Sequence, residues 1–200
     1  MRTGLTEASL RRLYVDLRKT DSEIANFFGT DRTAIVHLRK RYGIHTRKTT
    51  GEIGEEMVEK ELRSRGYSVK NMNEEDKLHP FDLLLEGNLR IEVKSAVLGK
   101  HGYFPFALSE KSANDNIESD IRIRLKNGRT RKLFRKTCDV IVFVGLEPNG
   151  DCHFFIYDSN DIKDHSQMLN MPLDPFSKSH HNNHREDWDL IKEKSLVLQH

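Results

Sequence analysis

The sequence predicts a two-part chain: a small all-helical segment, then an α/β domain with a mixed central sheet flanked by helices. Three observations predict it. Between Leu5 and Ile44, apolar residues recur at helical spacing in three short stretches. The run HTRKTT, residues 45 to 50, then carries no apolar residue and reads as a linker. Beyond it lie DVIVFVGL, residues 139 to 146, and FDLLLEGNLRIEVKSA, residues 81 to 96. The first is the near-continuous apolar run of a central buried strand. The second reads as two strands joined by Gly87-Asn88 as a two-residue hairpin turn. Residues 1–46 then form the helical domain, and 51–200 the α/β domain with a polar C-terminal extension.

The elements follow in order. TEASLRRLYVDLRK places Leu10, Leu13, Tyr14 and Leu17 on one helical face. TDSEIANFFG opens on a capping residue and closes at Gly29, and TDRTAIVHLRKRYG runs from Thr30 or Asp31 to Gly43. GEIGEEMVEKELRSRG has a narrow apolar stripe, Ile53, Met57, Val58 and Leu62, and stops at Gly66. YSVKNM and YFPFAL read as strands, and SEKSANDNIE as helix or loop. IRIRLKNGRTRKLF centres on Asn127-Gly128 and reads as a protruding basic hairpin, with a helix over RTRKLFRKT competing. HFFIYDS pairs with the central strand. The tail from Asp161 is polar and irregular, except for EDWDLIKE, which docks Trp188, Leu190 and Ile191 on the body.

Composition narrows the class. With 200 residues, 36% hydrophobic and 32% charged, the chain is a folded protein whose apolar residues cluster. No apolar run reaches membrane-span length, and the N-terminus lacks the apolar stretch of a secretory signal. Cys138 and Cys152, the only cysteines, have no metal-type spacing and fit a reducing cytoplasm. The net charge is +2, but residues 1 to 50 hold an excess of six basic groups, eleven against five, so the rest is about −4. A second block, residues 122 to 136, has no acid. Two basic segments point to a polyanionic partner; solvated faces are the alternative.

SEIANFFGTDRTAIVHL, residues 22 to 38, resembles the helix-turn-helix family. Ala25 is the small residue where two helices touch, Gly29 makes the turn, and Ile24, Phe28, Ile35 and Leu38 point inward. The resemblance implies that the second helix enters a DNA major groove. Its outward residues are then Asp31, Arg32, Thr33, Val36, His37 and Lys40, with Arg32 suited to guanine and Arg39, Lys40 and Arg41 to phosphate. An ordinary three-helix bundle for partner docking is the competing reading.

The hairpin carries the chemistry. Alternation in IEVKS puts Glu92 and Lys94 on one face and Ile91 and Val93 on the other. Asp82 lies on the neighbouring strand. Adjacent carboxylates repel unless a divalent cation sits between them, and Mg²⁺ suits two carboxylates plus a backbone carbonyl, here that of Val93. A lysine two residues from a metal ligand can hydrogen-bond a water or a phosphate.

With this hairpin in place, the string from Gly51 to Tyr157 resembles the PD-(D/E)xK nuclease superfamily, which includes many restriction endonucleases. GEIGEEMVEKELRSRGY resembles its acidic first helix with the Gly54-Glu55 pair; HPFD supplies Asp82, IEVKSA supplies Glu92 and Lys94, and CDVIVFV the later buried strand. The resemblance implies a restriction-endonuclease-like fold. It also implies Mg²⁺-dependent hydrolysis of DNA, with Mn²⁺ as a substitute, through Glu55, Asp82, Glu92 and Lys94. Lys111 is a candidate for a later motif residue. Arg122, Arg124, Arg129, Arg131 and Lys132 are candidates to clamp a DNA backbone. Two active sites for two strands imply a homodimer. A restriction enzyme leads; a Holliday-junction resolvase or mobile-element nuclease, an RNA-directed enzyme, and a non-catalytic DNA-binding regulator on the same scaffold are the alternatives. HHNNH, with His180, His181 and His184, lacks partners to complete a zinc set and reads as a solvated loop.

Overall fold

The structure is a computed structural model that describes residues 5–74, 76, 79–110 and 119–198. The chain divides into two compact units, Met1–Arg47 and Lys48–His200.

The described residues of the first unit form three helices. Helix α1, Glu7–Arg11, widens at Arg12–Asp16, where Leu17 N donates to Arg12 O. Helices α2, Asp21–Phe28, and α3, Arg32–Arg41, follow. Thr6 and Thr20 start α1 and α2 with reciprocal capping boxes, each satisfying two orphan backbone donors. The turn between α2 and α3 needs Gly29, whose φ of 64° lies in the left-handed region. Asp31 then caps α3 by accepting from Thr33 N at 2.9 Å. Leu10, Tyr14, Ile24, Ala25, Ile35 and Ile44 form the core.

Arg39 belongs to that core, which corrects its assignment to phosphate. It is 3% exposed. Its guanidinium donates to both Asp21 oxygens, at 2.6 and 2.8 Å, and to Ile44 O, and it lies over the Tyr14 ring. Asp21 holds its pKa above the ordinary arginine value, against the effect of burial. The reason is helical period: Arg39 follows Ile35 by four residues and shares its inward face.

The second unit opens with α4, Thr50–Ser64, capped by Thr49 and Glu52. Among the described residues ten strands and two α-helices follow: β1 Val69–Asn71, β2 Leu83–Leu85, β3 Arg90–Val97, β4 Tyr103–Ala107, β5 Ser109–Glu110, β6 Arg122–Arg124, β7 Thr130–Lys132, α5 Phe134–Thr137, β8 Val140–Leu146, β9 Cys152–Asp158, β10 Met168–Pro172 and α6 Asp189–Val197. The main sheet has the order β1-β2-β3-β8-β9. β3 and β8 pair in parallel and every other pair is antiparallel, so the sheet is mixed. All seven residues of β8 are buried, as its apolar run predicts. One face of the sheet packs Ile91, Val93, Val142 and Val144 against Val58 and Leu62 of α4 and Ile191 of α6. The other packs Ile141, Phe143 and Phe155 against Phe104 and Phe106 of β4 and Met171 of β10.

Several expectations change here. The β2–β3 loop has three residues, because Leu85 N donates to Leu89 O; Gly87 and Asn88 both take positive φ. The basic segment forms the hairpin β6–β7, and the competing helix shrinks to the single turn α5. The tail contains β10, paired antiparallel with β4. His181 is buried and its Nδ1 lies 2.6 Å from Tyr157 Oη, while His184 stacks on that ring at 3.7 Å. HHNNH is therefore partly a core element, and burial beside His180 and His184 pushes His181 down to about 4. Cys138 and Cys152 are free, and burial raises Cys138 to about 12, so it is no activated nucleophile. Lys111 lies outside the described residues. No helix among those described is long and apolar enough to cross a membrane.

Candidate active site

Four sequence-selected residues come together in the second unit, joined by two that the sequence did not select for the centre. Asp82 precedes β2. Its backbone N donates to Ile91 O, and its carboxylate Oδ2 then accepts from Val93 N at 2.7 Å. A side chain thus continues the β2–β3 ladder where the main chain leaves it. A strand residue's N–H and C=O leave by the same edge, so the Val93 carbonyl also faces the Asp82 side.

Glu55 reaches Asp82 through Asn73. The Asn73 amide donates to Glu55 Oε2 and to Asp82 Oδ1, each at 3.0 Å. Gly54 sets up this approach. A Cβ there would lie 1.8 Å from Ser95 Oγ and 2.9 Å from Ser95 Cβ, so only glycine lets α4 settle this closely on β3. The Gly54-Glu55 pair thus has a local cause: the glycine brings the helix down and the next residue delivers its carboxylate.

Glu92 is 2% exposed and sits between two ammonium groups. Lys94 Nζ is 2.7 Å from Oε1, the neighbour that strand alternation predicts. Lys132 Nζ is 2.5 Å from Oε2, arriving from β7. Lys132 was assigned to a DNA backbone; the structure places it against Glu92 instead. Arg131 is also corrected. It is 1% exposed, donates to the carbonyls of Ser166, Lys132 and Lys163, and stacks on Phe134. Alternation along β7 sends Arg131 inward and Lys132 to the opposite side. Arg122 pairs with Glu110, while Arg124 and Arg129 are exposed. On α3, Arg32, Thr33, His37, Lys40 and Arg41 are exposed.

The electrostatics separate the acids. Burial holds Asp82 above the ordinary carboxylate range, reinforced by Glu92, with Val93 N–H and Asn73 opposing. Glu55 is also raised by burial, with the Asp82 charge adding to it. Burial would raise Glu92 too, but Lys94 and Lys132 outweigh it and hold Glu92 below its usual value. Burial opposes the Lys94 ammonium, yet Glu92 prevails and raises its pKa, so Lys94 is protonated at neutral pH.

Two clefts meet this cluster. Glu55 and Asn73 line one of about 590 Å³, and Lys94 lines one of about 320 Å³ beside Pro105 and Phe106.

A divalent cation suits part of this donor set. Among the described residues, no three His, Cys, Asp or Glu side chains form a closed ligand cluster. Mg²⁺ does not require one, because it binds through one or two carboxylates and keeps its waters. Asp82 and Glu55, held above their ordinary range by burial and by a neighbouring carboxylate, Glu92 for Asp82 and Asp82 for Glu55, are groups a cation would relieve. Asp82, Glu92 and the Val93 carbonyl offer hard oxygen donors.

Neither a protein-family model nor a curated protein sequence matches the chain. A solved structure, described as that of a bacterial homing endonuclease, I-Ssp6803I, is similar in fold. The TM-score is 0.58 at 14% identity, over 78% of this chain and 99% of that one. At that identity the likeness is one of fold alone.

Proposed function

We propose that the chain is a metal-dependent DNA endonuclease of the PD-(D/E)xK type, with its first unit acting as a helix-turn-helix DNA-binding domain. The observation that carries this reading is the Asp82–Val93 bond beside the Glu92–Lys94 pair, in a chain similar in fold to a homing endonuclease. The parallel β3–β8 pairing next to the antiparallel β2–β3 hairpin supports a restriction-endonuclease-like arrangement. The Ala25 contact, the Gly29 turn and an exposed basic face on α3 support the helix-turn-helix reading.

Asp82, Glu92 and the Val93 carbonyl would hold Mg²⁺, which supplies Lewis-acid stabilisation of the charge that develops on the phosphate. Lys94, kept protonated by Glu92, donates a hydrogen bond to the attacking water or to a phosphate oxygen; in that state it is no general base. Glu55 acts through Asn73, which fixes the Asp82 carboxylate. Lys40 and Arg41 on α3, with Arg124 and Arg129 on the hairpin, supply phosphate contacts, and Arg32 is placed to reach guanine. Cleavage of both strands calls for a homodimer.

Incubation with plasmid and with genome-length duplex, in Mg²⁺ and in EDTA, tests this. Cleavage in Mg²⁺ alone supports it, and intact DNA of every form favours the regulator reading. The homing endonuclease likeness specifically favours a mobile-element nuclease over a restriction enzyme. Rare cuts in genome-length DNA support that choice, and frequent cuts at a short site reverse it.

A further inference from the structure

Both oxygens of Glu92 are engaged by lysines, Oε1 by Lys94 and Oε2 by Lys132. The two lysines differ in origin. Lys94 shares β3 with Glu92, so strand alternation alone makes them neighbours. Lys132 belongs to a separate three-stranded sheet of order β5-β7-β6, forty residues along the chain. Nothing local brings it to Glu92. Its strand is fixed instead by the buried Arg131, whose guanidinium ties β7 to the carbonyls of Ser166 and Lys163. The Lys132 and Glu92 side chains are 13% and 3% exposed, so the pair is shielded from water and weakly screened.

A carboxylate oxygen that accepts a charged hydrogen bond at this distance is a poor ligand for a second cation until that bond is given up. The geometry points to Lys132 as a cation placeholder: it occupies the Glu92 oxygen that a divalent metal would take and competes with the metal for it. Lys132 is a positioning residue in this sense, acting on Glu92 and not on the reacting atoms. The inference rests on the nuclease reading, since it concerns the metal of that site. It adds that the basic hairpin sets the metal affinity. Removing a positive charge this close to a ligand oxygen strengthens divalent binding by about tenfold, because the cost of displacing the lysine from Glu92 offsets much of the Coulomb term.

The test is calorimetric titration of the full-length protein with Ca²⁺, without DNA. Wild type, Lys132→Met, Lys132→Arg and Lys126→Ala are compared, with Asp82→Ala as the site control. Lys126 is exposed on the same hairpin, so its loss removes equal charge without touching Glu92. The expected result is binding abolished by Asp82→Ala, about tenfold tighter in Lys132→Met, and unchanged in Lys132→Arg and Lys126→Ala. Thermal melting confirms that each variant is folded, and the arginine variant keeps the test decisive if the methionine variant is not: its affinity should match wild type, and a tenfold change in it overturns the inference. Binding that depends on Asp82 but is unchanged or weaker in Lys132→Met overturns the placeholder role and leaves the nuclease reading intact. Wild type that binds no divalent ion, or binds it independently of Asp82, overturns both.

Discussion

Gly54→Ala perturbs the site without removing any polar group. The added methyl would sit 1.8 Å from Ser95 Oγ and 2.9 Å from Ser95 Cβ, with Val144 Cβ at 3.5 Å. Rotating Ser95 relieves the first contact but not the second. Carbon atoms rest at about 3.5–4.0 Å, so α4 must back away by roughly 1 Å. Overpacking of this kind costs about 1–3 kcal/mol, and alanine's better helix propensity offsets about 1 kcal/mol, leaving a loss of about 1 kcal/mol. The effect on activity is larger. Glu55 follows Gly54 on the same helix, and a 1 Å shift breaks its 3.0 Å link to Asn73. Misplacement on that scale costs about 100-fold in rate. Urea unfolding and single-turnover cleavage of a plasmid measure the two. Ser95→Gly added to Gly54→Ala makes room for the methyl. Ser95 Oγ has no hydrogen-bond partner among the described residues, so its removal breaks none, and the double variant should recover most of the lost rate. A Gly54→Ala protein with wild-type cleavage, or a double variant no faster than the single, refutes the close-approach argument.

Three further outcomes are expected. On α3, Lys40→Ala should lower the slope of log affinity against log salt by about 1, read by fluorescence anisotropy on duplex DNA, because the proposed reading gives Lys40 one phosphate contact. Arg39→Met, by contrast, strands the buried Asp21 carboxylate and destabilises the first unit by about 3 kcal/mol, read by calorimetry. As to pH, Asp82 and Glu55 are held above their unfolded values by burial, so the native state binds protons there that the unfolded chain releases. Their contribution to metal-free stability therefore improves as pH falls through that window. A cation gives the same relief above it. The rise in Tm on adding Ca²⁺ should be largest at neutral pH and shrink as these carboxyls protonate.

Much of the α/β frame was legible because its signals are local. β8 announces itself by an unbroken apolar run, and Glu92 and Lys94 must share a face if β3 is a strand at all. Glu55 and Asp82 came from the motif string, and the structure gives that string a cause in Gly54 and in the Asp82–Val93 bond. What the sequence concealed depends on distant partners. Lys132 meets Glu92 only because a separate small sheet folds over the site, and nothing in RTRKL marks one lysine among the arginines. Asn73 lies in a polar stretch beside β1 with no periodicity to single it out. Strand β10, with Pro172 at its end and polar neighbours, lacks the alternation that would have revealed its pairing with β4. Arg39 was legible and was missed. Its spacing from Ile35 points inward, but its place in a basic run invited a surface reading.

The most direct measurement is an anomalous difference map from a crystal soaked in Mn²⁺. The account predicts one strong peak within about 2.2 Å of both an Asp82 and a Glu92 carboxylate oxygen. A peak confined to the glutamates of the cleft beside α4, or none near Asp82, contradicts it.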